Sequence, residues 1–181
     1  MSFVSYILNG ISLGSVYAII ALGYTMVYGI AKMLNFAHGD IIMVGSYVAF
    51  IAINSMGLPV PVSILLSVVV CTVLGMVIER VAYKPLRHAS KLAVLITAIG
   101  ASYFLQNVAL LIFGANTKSF TSIVGNGSVQ LAGGALSVTM VTIVTVIACV
   151  VIMIGLMAFM KYSKAGHAML AVSEDDGAAQ L

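Results

Sequence analysis

The chain has 181 residues, 62% of them hydrophobic and 7% charged, with a formal net charge of +3; its mean hydropathy is +1.17. Soluble domains carry roughly 25% charged residues, so a water-solvated surface over most of this chain is excluded, and charge this sparse forms no basic stripe for nucleic acid. Cys71 and Cys149 lie inside hydrophobic runs, a placement that fits neither a disulfide framework nor a zinc-ligand spacing.

The expected fold is all-α: a polytopic transmembrane helix bundle of about five spans in a lipid bilayer, with a small external β-hairpin loop. The first run covers residues 3–31. It is long enough to cross with tilt, because a span takes about 20 residues. It has no basic leading region and is too long for a leader's apolar core, so it is expected to remain as a span. At helical pitch, Gly10, Gly14, Tyr17, Ala21, Tyr24 and Tyr28 share a sector of about 80°. Gly10 and Gly14 form a small-residue pair that permits close helix packing. Two readings of this face stay open: a protein-packing side, or a face whose tyrosines, Tyr24 among them, line a solute path.

A polar insertion follows, with Lys32, Asn35, His38, Gly39 and Asp40. The apolar stretch 41–53 would be only about 20 Å long as a helix, short of the roughly 30 Å hydrocarbon core. To fill the membrane its helix must begin near Phe36, giving a span at 36–53. That start carries His38 and Asp40 into the membrane edge or deeper. Ionisable groups at such depth are costly and face the bundle interior or a water cavity. Gly39 permits a backbone break of the kind that builds transporter sites. The competing reading is an interfacial loop in which Asp40 caps the next helix. One His and one carboxylate are too few ligands for a metal, and no cofactor is expected. An intramembrane enzyme is disfavoured, since His38 and Asp40 would lie about 200° apart on a continuous helix and no nucleophile pattern accompanies them.

Residues 54–61 hold Gly57, Pro59 and Pro61 and read as a turn. The third span, 62–79, closes at Glu79-Arg80. Residues 80–91 carry Arg80, Lys84, Arg87 and Lys91, which the positive-inside rule places in the cytoplasm. The fourth span is 92–113, where Gln106, with Ser102 and Tyr103 on its face, is a candidate for the solute path. In the outer loop, Gly125-Asn126-Gly127 separates 120–124 from 128–131 and signals a β-hairpin. The last span is 136–160, and Lys161 and Lys164 return the chain to the cytoplasm. Met1 then lies outside; a re-entrant second piece would place it inside. The tail, 161–181, reads as a cytoplasmic segment, either a flexible extension or a short docking helix.

Residues 9–18 read Asn-Gly-Ile-Ser-Leu-Gly-Ser-Val-Tyr-Ala, followed by Gly23 to Gly29. Then come Asn35-Phe36-Ala37-His38-Gly39-Asp40 with Gly45-Ser46-Tyr47, the stretch from Glu79 to Arg87, and Ala98-Ile99-Gly100 leading to Leu105-Gln106-Asn107. As an ordered set, these stretches and the tail resemble the permease subunits of branched-chain amino acid ABC importers, the Liv family. The resemblance implies a coupling helix in the tail, with Gly166, Ala168, Ala171, Glu174, Asp175, Ala178 and Ala179 as ATPase-coupling residues. It implies a second homologous permease subunit, two cytoplasmic ATPase subunits and a periplasmic amino-acid-binding protein. The expected setting is the bacterial inner membrane, and the expected solutes are leucine, isoleucine and valine, moved by alternating access. The sequence holds no Gly-x-x-x-x-Gly-Lys-[Ser/Thr] phosphate loop, so this subunit is expected to be no enzyme, with ATP hydrolysed on the separate ATPases. Permeases for urea or short amides share the same motifs, and a passive solute channel is the reading from outside the class. Family members continue with further spans beyond the coupling helix, so a truncated form is expected.

Overall fold

Backbone polar groups in hydrocarbon find no water, and only structures that satisfy them internally persist there. The chain meets this demand with helices. The computed structural model describes residues 2–86, 89–120, 127–131 and 136–174. Among these, four stretches are helical and apolar enough to cross a bilayer: Tyr6–Gly29, Val60–Leu86, Leu92–Phe113 and Met140–Tyr162. The protein is an all-α, multi-pass membrane protein. Its large side chains point outward: Phe3, Leu65, Leu111 and Ile112 are exposed, as suits surfaces wetted by lipid.

The helices fall into two units, Met1–Lys32 with Ser122–Leu181, and Met33–Thr121. The first unit contains α1 (Ser2–Ala31), α5 (Met140–Tyr162) and α6 (Lys164–Glu174). The Cys149 thiol of α5 donates to the Ser15 carbonyl of α1 at 3.2 Å. Further along, Met26 and Gly29 of α1 meet Met160 of α5 around a common recess, so the two helices run in the same direction. A corner follows α5. The Ser163 hydroxyl accepts from the Gly166 N–H at 2.8 Å, an N-cap that starts α6. A Cβ at Gly166 would stand 2.5 Å from the Phe159 carbonyl oxygen and 2.6 Å from Met160 Cα. Only glycine lets α6 turn this tightly against α5.

The same unit holds the hairpin. Strand β1 (Ser128–Leu131) pairs antiparallel with β2 (Leu136–Thr139), with Ser128 opposite Thr139 and Leu131 opposite Leu136. The expected strand at 128–131 is in place, but its partner follows it. The expected turn and most of the expected first strand lie outside the described residues. Leu136-Ser-Val-Thr139 alternates apolar and polar residues, a strand pattern, and the Met140 N–H donates to the Gly127 carbonyl at 3.0 Å. The last long helix therefore starts at Met140, four residues after the apolar run begins at Leu136.

The second unit contains α2 (His38–Asn54), α3 (Val60–Ile78) and α4 (Lys91–Phe113). Ser67 Oγ donates to the Gly45 carbonyl at 2.8 Å and Cys71 Sγ to the Ile41 carbonyl at 3.4 Å. Four residues forward on α2 match four residues back on α3, so these helices are antiparallel. Helical backbone continues past Glu79-Arg80, where the sequence closes the span, through a π-turn at Glu79–Tyr83 and a 3-10 turn at Lys84–Leu86. Neither Glu nor Arg breaks a helix; Pro85, which has no N–H to offer, lies within the 3-10 turn. Ser90 caps α4, its hydroxyl accepting from the Ala93 N–H, and Gly114 ends it at φ +76°. The core of the unit is Ala37, Ile78, Tyr83, Val94, Ala98 and Leu105.

Helices in lipid associate through close backbone approach more than through burial of apolar area. Gly45 makes that approach here: a Cβ there would lie 2.5 Å from Cys71 Sγ and 3.1 Å from Ser67 Oγ. Gly45→Ala should lower stability by roughly 1–3 kcal/mol through overpacking, read as a lower thermal aggregation midpoint in detergent. Adding Cys71→Ala should recover most of the loss, since it removes the clashing atom. Strictly additive effects of the two substitutions would contradict this packing.

Candidate functional site

The start of α2 is built by Asn35. Its side-chain Oδ1 accepts from the Ala37 N–H at 3.1 Å and from the Tyr83 hydroxyl at 2.7 Å. The first bond is an Asx turn that occupies a backbone donor ahead of the helix. The second ties that turn to the π-turn at the end of α3. Tyr83 and Ala37 are both buried. The backbone interruption precedes the helix, with Lys32 at φ +52°. Gly39 is an ordinary member of the first turn of α2, so its freedom is not what breaks the chain.

Asp40 is also in that first turn, where the helix dipole favours negative charge. It is 8% exposed, and its Oδ1 accepts from Gln106 Nε2 at 3.1 Å. The same amide nitrogen donates to Ser102 Oγ, also at 3.1 Å, so both amide protons of Gln106 have acceptors. No backbone N–H is capped by a side chain at Ala37, the residue before α2.

The depth of this cluster follows from register. Asp40 meets Gln106, and Tyr47 stacks on Phe113 with ring centroids 4.1 Å apart. The second contact lies seven residues beyond the first on both helices, so α2 and α4 run parallel. Gln106 lies fifteen residues after Lys91 and seven before Phe113. At 1.5 Å per residue that is about 22 Å from one end of α4 and about 10 Å from the other. Asp40 therefore stands beside the interior of α4, an apolar helix of membrane-spanning length.

Of the residues singled out in the sequence, Asn35, His38, Gly39, Asp40 and Gln106 gather in this unit. His38, half-buried, begins α2. Tyr24 is half-buried on α1, in the other unit. Gly10 and Gly14 have no atom within 4 Å of where a Cβ would be, so they make no tight approach among the described residues. On α6, Gly166 is buried against α5, while Ala168, Ala171 and Glu174 are exposed. Asp175, Ala178 and Ala179 lie outside the described residues.

Residues 6–181 match the family model described as branched-chain amino acid transport system / permease component. The chain belongs to this family. It is 48% identical over 130 residues to the high-affinity branched-chain amino acid transport system permease protein BraD of Pseudomonas aeruginosa, covering 67% of this chain and 42% of that one. It is 40% identical to LivH of Escherichia coli (strain K12) and 39% identical to LivH of Salmonella typhimurium, permease proteins of the same description, each over 184 residues. Those alignments cover 96% of this chain and 59% of LivH, so the chain spans well under two thirds of the length of these relatives. No solved structure matches it.

Within this permease family member, sequence reasoning missed Tyr83 and the directness of the Asp40–Gln106 bond. The Tyr83–Asn35 and Gln106–Asp40 contacts join residues 48 and 66 positions apart. The local signal for Tyr83 was its place two residues before Pro85 at a helix end. Gln106→Leu would strip Asp40 of this donor. A buried acceptor left unpaired costs roughly 1–3 kcal/mol, so the variant should unfold earlier on heating. Gln106→Asn, with the shorter amide, should recover little, and Asp40→Asn, which keeps an acceptor oxygen, should cost less than Gln106→Leu.

Proposed function

We propose that this chain is the membrane-spanning permease subunit of an ATP-driven importer for branched-chain amino acids. The carrying observation is the Asp40–Gln106–Ser102 cluster alongside the interior of α4. Ser102, Tyr103, Gln106 and Asn107 share a sector of about 140° on that helix. Tyr103, Gln106 and Asn107 are exposed. Polar groups at this depth are costly against lipid, so this face is read as turned to protein or to a water-filled path. An amino acid zwitterion needs polar partners at its charged end and apolar surface for its side chain; α4 offers both. Relatives named as branched-chain amino acid permeases support this solute class.

On this reading the basic residues Lys84, Lys91, Lys161 and Lys164 mark the cytoplasmic side. Since α1 runs parallel to α5, and α5 leads into the Lys161–Lys164 corner, the start of α1 lies outside. The outward face of α6 then meets the ATPase. Lys164, His167, Ala168, Ala171 and Glu174 are all exposed and fall within about 120° of one another. Met169, Val172 and Ser173 are half-buried, and Gly166 is buried. A second permease subunit and a periplasmic binding protein complete the assembly, in the inner membrane. ATP hydrolysis belongs to the ATPases.

In the full-length permease with its partners, Asp40→Ala should lower leucine uptake on the order of tenfold, about 1.4 kcal/mol in the barrier, while the amount of permease in the membrane holds. Full uptake would return Asp40 to a capping role. Ala171→Trp should abolish uptake and loosen ATPase co-purification, because a bulky side chain at a packed contact overpacks by roughly 1–3 kcal/mol. Normal uptake and co-purification would favour a passive channel, with α6 a linker.

A further inference from the structure

The residue after α1 is Lys32, in the left-handed region at φ +52°, with its N–H donating to the Tyr28 carbonyl at 2.9 Å. This is the helix-ending position that glycine or asparagine ordinarily fills. A lysine there is unfavourable for the backbone, so its side chain is where a compensating role is to be sought. Lys32 Nζ donates to the Ser173 carbonyl at 2.6 Å, across 141 residues of sequence. Ser173 is the penultimate residue of α6. Its carbonyl lies in the last described turn of α6, where a cation also meets the negative side of the helix dipole. Behind this bond, Thr25, Met26 and Gly29 of α1, Met160 of α5 and Met169 and Ser173 of α6 surround a recess of about 220 Å³. The α1–α6 contact beside Lys32 is therefore not filled solid, and flexible methionines line it. Lys32 supplies a directional tie where packing is loose.

We propose that Lys32 is a coupling residue that hands displacement of α6 to the end of α1, and so to the interruption at residues 32–37 that leads into α2 and Asp40. This rests on the proposed role of α6 as the ATPase-docking helix. An ATPase that pulls on α6 pulls on its terminal carbonyls, and the Lys32 ammonium converts that into strain at the one described non-glycine residue with positive φ.

The test uses the full-length permease assembled with its ATPases and binding protein in vesicles, measuring leucine uptake and ATP hydrolysis together. Lys32→Met should insert at the wild-type level, since Lys32 is exposed. It should keep ATPase co-purification and leucine-stimulated hydrolysis, yet lose about tenfold in leucine moved per ATP. Lys32→Gly, which relieves the backbone, should be equally uncoupled. Lys32→Arg, which keeps a donor cation, should restore at least half the coupling. Unchanged leucine per ATP in Lys32→Met would overturn the proposal, as would a loss of uptake matched by loss of protein from the membrane, or full coupling in Lys32→Gly. Failure of the underlying reading is distinguishable: there the ATPase would bind Ala171→Trp normally, or wild-type uptake would not depend on ATP.

Discussion

A carboxylate beside the interior of an apolar helix is the constraint from which the second unit's local structure follows. Asp40 is buried among the described residues, and isolated ionisable groups in such a place are expensive. The surrounding geometry offsets that cost in two ways. Gln106 brings an N–H at 3.1 Å and is itself held by Ser102. The start of α2 brings the positive end of a helix, and that requires a chain interruption to stand close by. An interrupted helix leaves backbone donors unmatched. Asn35 takes up one of them and is fixed by Tyr83. Tyr83 in turn sits at the end of a π-turn, in which the Lys84 N–H reaches back to the Glu79 carbonyl. Such wider turns are frequent at functional sites. Each local irregularity on this path thus helps support the one before it.

The remaining joints follow a different rule. Hydrocarbon offers the outer surfaces of these helices as apolar an environment as another helix would, so adhesion depends on short distances. Gly45 lets α3 place a thiol and a hydroxyl onto two carbonyls of α2. Gly166 lets α6 fold back onto the last turn of α5. Both glycines are used at points where a single methyl group would collide with sulfur or backbone. Gly10 and Gly14 look the same in sequence, yet stand open among the described residues. Small residues mark permission for close approach; which of them is used depends on the partner surface.

Legibility in the sequence divided along the same line. Features fixed by local composition were readable: the long apolar runs and the polar interruption between the first two. The apolar stretch 41–53 is too short to fill the membrane, which pointed to a helix that starts ahead of it; the helix begins at His38 and includes Asp40. Features fixed by contacts far apart in sequence were not. Nothing in residues 35–40 names Tyr83 as the group that holds them. The Asn126-Gly127 pair signals a turn strongly, but the strand at 128–131 pairs with residues after it, where Leu136-Ser-Val-Thr139 reads equally well as the start of an apolar helix. Backbone sign was also hidden: the expected hinge at Gly39 is helical, and the left-handed residue is a lysine, the kind of residue that composition would not select.

Whether α6 could serve as a mechanical element turns on how its orientation is fixed, and two independent features fix it. At its beginning, the Ser163 cap and the absence of a side chain at Gly166 hold the first turn against α5. Near its other end, Ser173 is held from α1 by Lys32. A helix pinned only at its start would swing about the corner, and force applied along its outer face would be lost in that rotation. A helix held at its start and again at Ser173 by two different helices must carry them along. Its exposed face is correspondingly spare, with Ala168 and Ala171 between Lys164, His167 and Glu174: small enough for a groove to close over, polar enough at the edges to set register. On the proposed reading, a subunit driven from outside the bilayer needs a short helix restrained in this way as its handle.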